Sequence, residues 1–351
     1  MSKPYLTHTP LESRKVTPAM VKKYTGEART LEDHIQQYLM QFKYDGICAI
    51  LFVHADGSHH MKSRTGEDIV NFRHVGDAHS TLPWINMCEL LPSDADRPMQ
   101  YKTGVYFGEL WHPEWSAATI TGFHNTSDPE KWIDTKPKAQ QVSFAVYDFV
   151  TWAEWEVGVS SVPYAERIRR LEWMECIGTP WMDAAPKDAK FPPIFLAADL
   201  GIFAENKEFT SANEMANFVK ANVNCDGVIA VDPFGHWKRG ERNLAKIKLK
   251  PTLTVDVVVV DYELGKGKYS DVIGKVIYKY KDQLGKCSGM SDALRGAECV
   301  KAGGCIEEFF QHQWRGKVIE VEAMEESTHG KLREPRFKRF REGIDATEVD
   351  A

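Results

Sequence analysis

Apolar residues crowd the stretch Gln41 to His54, QFKYDGICAILFVH, and predict a strand, with Leu31 to Met40 as a helix leading into it. ADGSHH follows as a turn, in which Asp56-Gly57 is a hairpin signal. GVYFGELW, Gly104 to Trp111, and QVSFAVYDFV, Gln141 to Val150, read as further strands. PYAERIRRLEWM, Pro163 to Met174, spaces its apolar residues at helical intervals behind a proline, and SANEMANFVKANV reads as a helix with a serine cap. DGVIAVDP and AKIKLKP are strands separated by a polar turn. Residues 1–250 are therefore expected to form one domain of sheets with helices. After Pro251 the pattern changes. TVDVVVVDYELGKGKYSDVIGKVIYKYKD alternates β-branched and polar residues around glycine turns, and GKVIEVEAM is another strand. Such closely spaced short strands predict a small barrel of the oligonucleotide-binding kind over residues 251–351, hinged at Pro251 to Thr254. No internal repeat appears.

At 351 residues, 43% apolar and 27% charged, the chain has the make-up of an ordinary soluble protein with room for two or three domains. Its apolar runs, such as Val255 to Val260, are too short to span a bilayer. MSKPYLTHTPLESRK lacks the apolar centre of a signal peptide, so a cytoplasmic location without membrane contact is expected. Seven scattered cysteines include no ligand set for zinc; reduced thiols are the better reading. The net charge of −6 argues against a protein that coats nucleic acid indiscriminately. Two segments are nonetheless strongly basic, HWKRGERNLAKIKLK and KLREPRFKRFR, while acidic residues gather in IEVEAMEES.

Lys43 raises the first chemical question, because it stands between Phe42 and Tyr44. It is either a surface lysine reaching water along its stem or an amine held in a pocket for chemistry. Other polar residues in strand-like settings follow: Asp45, Arg64 in SRTG, Glu109, Asp148, Asp226, and Lys248 with Lys250. Each alone has a plain explanation. SRTG reads as a capped turn, Asp226-Gly227 as a hairpin, and a Lys-x-Lys strand as a solvated edge. Six such elements in one order at domain-scale spacing are harder to assign to chance.

Taken together, KYDG at Lys43, SRTG at Ser63, FGEL around Glu109, VYDFV around Tyr147, DGVIAV from Asp226 and the lysine pair before Pro251 resemble the ordered motifs of the covalent nucleotidyltransferases, the ligases and RNA-capping enzymes. SRTG, REPRF and the compact length resemble the small bacteriophage-type ATP-dependent DNA ligases in particular. The resemblance covers nearly the whole chain. It implies an α+β fold: an adenylation domain of antiparallel sheets with helices over 1–250, then an OB-fold barrel over 251–351. It implies ATP and Mg²⁺ as cofactors, nicked duplex DNA as partner, and a monomer. By the same resemblance Lys43 is the nucleophile, assisted by Lys248 and Lys250. Gln41, Phe42, Arg64, Glu109 and Tyr147 would hold the nucleotide with these lysines, Tyr147 stacking on adenine and Gln41 reaching its amino group. Glu109 and Asp226 would hold the metal. Ser63, Arg64, Lys238, Arg239, Arg333 and Arg336 would meet DNA.

The chemistry asks for such a set. An attacking amine must be unprotonated, and a free lysine has a pKa of roughly 10.4. Desolvation by Phe42 and Tyr44, and the neighbouring Lys248 and Lys250, are expected to lower it. Phosphoryl transfer is mostly positioning and charge neutralisation, which cationic side chains supply. By strand alternation Lys246, Lys248 and Lys250 share one face, and Lys246 is the substitute if the register slips by two. Three positions depart from the family pattern: Cys48 where an arginine is usual, Val231 where a lysine is usual, and Asp226 in place of a glutamate. Lys238, Arg239 and Arg242 are candidates for the replacement charge. The expected activity is sealing of DNA nicks through a lysyl-AMP intermediate. An RNA ligase of the same chemistry, or a non-catalytic DNA-binding protein on this scaffold, are the alternatives.

Overall fold

The computed structural model describes residues 5–81, 103–171, 194–197, 209, 211–223, 225–327, 329–344 and 349. It divides into two compact units, Met1–Lys250 and Pro251–Ala351.

In the first unit the apolar run after Leu39 forms two strands in two different sheets, where the hydrophobic pattern predicts one. Leu39–Phe42 pairs antiparallel with Val228–Val231. Ile47–Val53 pairs antiparallel with both His59–Ser63 and Gly104–Trp111. The break falls on the residues from Lys43 to Gly46, so Lys43 and Asp45 stand between strands and not within one. The helix before it covers Leu31–Ile35 only, because Leu39 and Met40 are taken up by pairing with Val231 and Ala230. Cross-strand pairing overrides the helical preference of those side chains.

The first sheet has the order Leu11–Glu12, Lys246–Leu249, Val228–Val231, Leu39–Phe42. The second has the order His59–Ser63, Ile47–Val53, Gly104–Trp111, Ser143–Val150, Ile194–Leu196. Successive side chains of Ile47–Val53 enter different cores. Ala49, Leu51 and Val53 pack with Val75 and Ile120, from the helices Arg73–Thr81 and Ala117–Asn125. Ile50 and Phe52 pack with Phe107, Val150 and Trp237. Burial on both faces explains an apolar run without polar alternation. A third cluster joins the two sheets: Phe42, Tyr44, Trp111, Ala145, Val228 and Ile247 pack with Ala216 and Val219 of the helix Ala212–Val223. Full burial of each such valine or isoleucine is worth about 1.5–3 kcal/mol. Ser211 Oγ caps that helix by accepting the Glu214 N–H at 3.1 Å. The helix read from Pro163 appears as Tyr164–Arg169, and Met174 lies outside the described residues.

The second unit is a five-stranded antiparallel sheet in the order Gln283–Cys287, Ile273–Tyr280, Leu253–Leu264, Val318–Ala323, Arg336–Phe340. Its outer strands approach each other through a parallel bridge between Ser288 and Arg336, where the Phe337 N–H donates to the Ser288 carbonyl at 2.8 Å. Val257, Val259, Val276, Ile319 and Val321 point inward onto Phe310 and Trp314. Phe310 belongs to the helix Ile306–Gln313, one of two short helices the sequence pattern did not announce.

The basic run near the C-terminus forms part of this sheet. Arg336–Phe340 is a strand lying against the acidic strand Val318–Ala323. Lys338 pairs with Glu322 at 2.8 Å, Arg339 with Glu320 at 2.8 Å, and Arg341 with Asp256 at 3.1 Å; Arg333 pairs with Glu325. Basic and acidic segments that are apart in sequence are thus matched in space. Among the described residues, no helix is long and apolar enough to cross a membrane. Cys48, Cys225, Cys287, Cys299 and Cys305 are free thiols.

Candidate active site

Lys43 is held by backbone geometry. The ladder between Leu39–Phe42 and Val228–Val231 runs on past Phe42: the Lys43 N–H donates to the Gly227 carbonyl at 2.9 Å, and the Asp226 N–H donates to the Lys43 carbonyl at 2.8 Å. Gly46 completes the turn. A Cβ there would lie 2.0 Å from the Leu110 carbonyl oxygen, so only glycine lets the two backbones meet. Lys43 and its neighbours open onto a cavity of about 540 Å³, within the usual range for a small-molecule site.

Strand alternation then delivers three lysines to that cavity, Lys246, Lys248 and Lys250. They do different things. The Lys250 ammonium donates to Asp226 Oδ2 at 2.6 Å, the same oxygen that Lys43 Nζ contacts at 2.6 Å. Lys248 pairs with Glu12 at 3.2 Å. Lys246 is buried and donates to Asp148 Oδ2 at 2.7 Å, while Arg167 grips the same carboxylate through Nε at 2.9 Å and Nη2 at 3.1 Å. Burial works against the charge of Asp148, but Arg167 and Lys246 hold its pKa well below the usual carboxylate range. Lys246 is committed to this triad, whereas Lys248 and Lys250 retain partial exposure.

The Lys43 amine differs electrostatically from the expected lowered state. Burial does work to lower its pKa, but the carboxylates of Asp226 and Glu109 outweigh it, and the net shift is upward. Its nearest charged neighbours are anions, so Lys43 rests as an ammonium. Burial pushes Glu109 the other way, up to about 7, against the pull of Lys43.

Around this centre the cavity wall includes Gln41, Phe42, Ser63, Arg64, Glu109 and Tyr147. SRTG is both a turn and a wall: Gly66 takes φ +88° and donates to the Ser63 carbonyl at 2.9 Å, while Ser63 Oγ accepts the Glu67 N–H at 3.1 Å. Arg64 lies over the Tyr5 ring, 5.1 Å from its centre. Cys48 sits opposite Glu109 in the ladder, with Sγ 3.3 Å from the Tyr147 hydroxyl; burial pushes its pKa up to about 12, so it is a thiol and not a thiolate. Val231 also lines the cavity. Of the three cations suggested as replacements for the missing arginine, Arg242 reaches the cavity. Lys238 and Arg239 are on the short strand Trp237–Lys238 and just after it, away from the lining; Arg239 stacks on Trp155, 4.1 Å from the ring centre, and donates to the Trp155 carbonyl. Arg333 and Arg336 belong to the second unit.

Among the described residues, no group of three or more His, Cys, Asp or Glu side chains is placed to hold a metal ion. Glu109 and Asp226 both act on the charge of Lys43, which puts two carboxylates near one amine. That donor set suits Mg²⁺, which binds through one or two carboxylates together with substrate phosphates.

Sequence reasoning missed the N-terminal wall and part of the triad. Thr7, His8, Thr9 and Pro10 line the cavity, and Leu11–Glu12 adds a parallel edge to Lys246–Leu249. Arg167 gave no signal beyond helical charge. The available clue was a polar THTP stretch just ahead of an apolar residue, which only the sheet pairing explains.

Comparison with known proteins adds the following. No protein-family model matches the chain. An alignment of 144 positions, covering 36% of this chain and 14% of the other protein's length, is 30% identical to a probable DNA ligase of Opitutus terrae. A solved structure named Pmar-Lig_Pre matches 97% of this chain and 68% of its own at 20% identity, with a TM-score of 0.55. The ATP-dependent DNA ligase from bacteriophage T7, in complex with ATP, matches 96% of this chain and 98% of its own at 20% identity, with a TM-score of 0.47. The chain has the fold of the Pmar-Lig structure.

Proposed function

We propose that this chain, which shares its fold with a ligase structure and a stretch of its sequence with a probable DNA ligase, is an ATP-dependent DNA ligase that seals nicks in duplex DNA. The observation that carries the reading is convergence. Motifs spread from Lys43 to Lys250 meet in one cavity, and the amine of Lys43 stands there beside a carboxylate shared with Lys250.

In the first step Lys43 gives one proton to solvent, and the free amine attacks the α-phosphorus of ATP. A nitrogen–phosphorus bond forms, the bond to pyrophosphate breaks, and a second proton passes from the nitrogen to solvent. Lys248, Lys250, Arg64 and Arg242 supply the positive charge that the phosphates need as negative charge builds on the leaving group. Glu109 and Asp226 would hold Mg²⁺, which neutralises phosphate charge when bound. Tyr147 offers a ring face for the base. In the second step the AMP passes from Lys43 to the 5′-phosphate of a nick, restoring the amine. In the third the 3′-hydroxyl attacks that phosphate and AMP departs.

The second unit is read as an OB-fold barrel serving the DNA. Support comes from its five antiparallel strands and the bridge that draws its outer strands together. Ser63 and Arg64 at the cavity, Lys238 and Arg239 on the first unit, and Arg333 and Arg336 on the second are the proposed DNA contacts.

Incubation with α-labelled ATP and Mg²⁺ tests the reading. A covalent label on Lys43, passed on to nicked DNA with sealing, is the expected result. No label would leave a non-catalytic DNA-binding protein, and sealing confined to RNA nicks would make it an RNA ligase.

A further inference from the structure

Two histidines at the opposite end of their hairpin from Ser63 have no part in the chemistry above. His54 follows the strand Ile47–Val53 and His60 lies in His59–Ser63. The turn between them is closed by the His54 N–H, which donates to the Ser58 carbonyl at 2.9 Å. His54 Nε2 is 3.3 Å from His60 Nδ1, while the ring centres are 5.3 Å apart, so the two nitrogens face each other across the gap. An aromatic floor carries both rings. His60 stacks on Phe52 with the planes 2° apart, His54 stacks on Trp152, and in each stack the centres are 4.6 Å apart. Trp152 is itself anchored, donating through Nε1 to the Val53 carbonyl at 2.8 Å. Burial, His54, Lys62 and His59 lower the pKa of His60 against the opposing pull of Asp68, which favours the neutral ring that a metal needs.

We propose that His54 and His60 form a binding site for one Zn²⁺ ion, ligated through His54 Nε2 and His60 Nδ1. Two nitrogens about 2.0–2.1 Å from one ion at the tetrahedral angle stand about 3.3–3.4 Å apart, whereas a right angle would bring them to about 2.9 Å. The separation of 3.3 Å fits the tetrahedral ion, and it is long for a hydrogen bond between ring nitrogens. Without a metal one ring donates its proton to the other. On binding, that proton moves to the far nitrogen of its own ring and both facing nitrogens become ligands. Stacking on Phe52 and Trp152 holds the rings side by side in advance, so little side-chain freedom is lost when the ion arrives. Among the described residues no third His, Cys, Asp or Glu side chain joins the pair, and water completes the coordination. Imidazole suits Zn²⁺, while Mg²⁺ prefers oxygen. This site is therefore separate from the Mg²⁺ read at Glu109 and Asp226, and it stands whether or not the chain is a ligase.

The experiment is titration of the full chain, without a histidine tag and freed of metal by a chelator, with Zn²⁺ at pH 7.5 and excess Mg²⁺. The native protein should bind Zn²⁺ despite the Mg²⁺. His54→Ala and His60→Ala should each weaken that binding by about tenfold or more, since each removes one of the two protein ligands. A second measurement needs no variant. Diethylpyrocarbonate, which modifies neutral imidazole, should label His54 and His60 in the metal-free native chain, and Zn²⁺ should protect both, as located by peptide mass spectrometry. Native protein that binds no Zn²⁺ overturns the site. So does binding that is as tight in both variants as in the native chain, and so does Zn²⁺ that leaves the two histidines open to the reagent.

Discussion

Asp226 serves two lysines at once, and this sets the resting state of Lys43. The carboxylate oxygen 2.6 Å from both ammonium groups, with Glu109, outweighs burial and holds the Lys43 pKa up, so the proposed nucleophile is stored protonated. Removing that negative charge should lower the pKa of Lys43 and make free amine available at lower pH. Asp226→Asn is therefore expected to move the rising limb of the labelling rate, followed above pH 8, toward lower pH, even if the maximum falls through loss of the proposed metal ligand. Glu109 ionises at about 7 and contributes below that window. A limb that stays put would mean Asp226 does not control the amine. Lys43→Arg is expected to give no label, because guanidinium remains protonated at any working pH. Peptide mapping checks that no other residue takes the label.

Among the elements, the turn after Leu39–Phe42 and the buried triad behind Lys246 bear most directly on the site. Gly46→Ala would drive a methyl group against the Leu110 carbonyl, which belongs to backbone and cannot swing aside. It should destabilise the fold by more than about 2 kcal/mol and displace Lys43, measured by urea unfolding and labelling together. Asp148→Ala leaves Arg167 and Lys246 buried without their counter-charge, and is expected to cost about 3–5 kcal/mol. Because the native pKa of Asp148 is depressed, its stabilisation is fully present above the unfolded value of roughly 3.9 and is lost as pH falls below it. The native protein should thus lose stability in acid more steeply than Asp148→Asn. The strands Gly104–Trp111 and Val228–Val231 were legible because their apolar content is local, and the common face of Lys246, Lys248 and Lys250 because alternation is arithmetic. The break at Lys43 was not, since nothing in QFKYDG says that its two halves pair with different partners. The role of Arg167 was also hidden, because it depends on Asp148 in a different element.

For the molecule as a whole, charge matters more by arrangement than by total. The net −6 hides a basic C-terminal run in which Lys338, Arg339 and Arg341 each meet an acidic partner, Glu320 serving two of them. Glu320→Gln releases Arg339 and Arg341 from a shared carboxylate, and should steepen the salt dependence of binding to nicked duplex by about one to two in log–log slope. An unaltered slope would place these arginines off the DNA path. The second unit has its own core around Phe310 and Trp314, so residues 251–351 expressed alone are expected to unfold cooperatively in urea, monitored by tryptophan fluorescence. The parallel pairing of Leu11–Glu12 with Lys246–Leu249 carries one more consequence. A strand near the start of the chain waits for one made at the far end of the same unit, so a chain still on the ribosome has no finished pocket until translation has passed Lys250 and that segment has cleared the exit tunnel. The proposed nucleotide charging is thereby deferred until the first unit has been synthesised to its end.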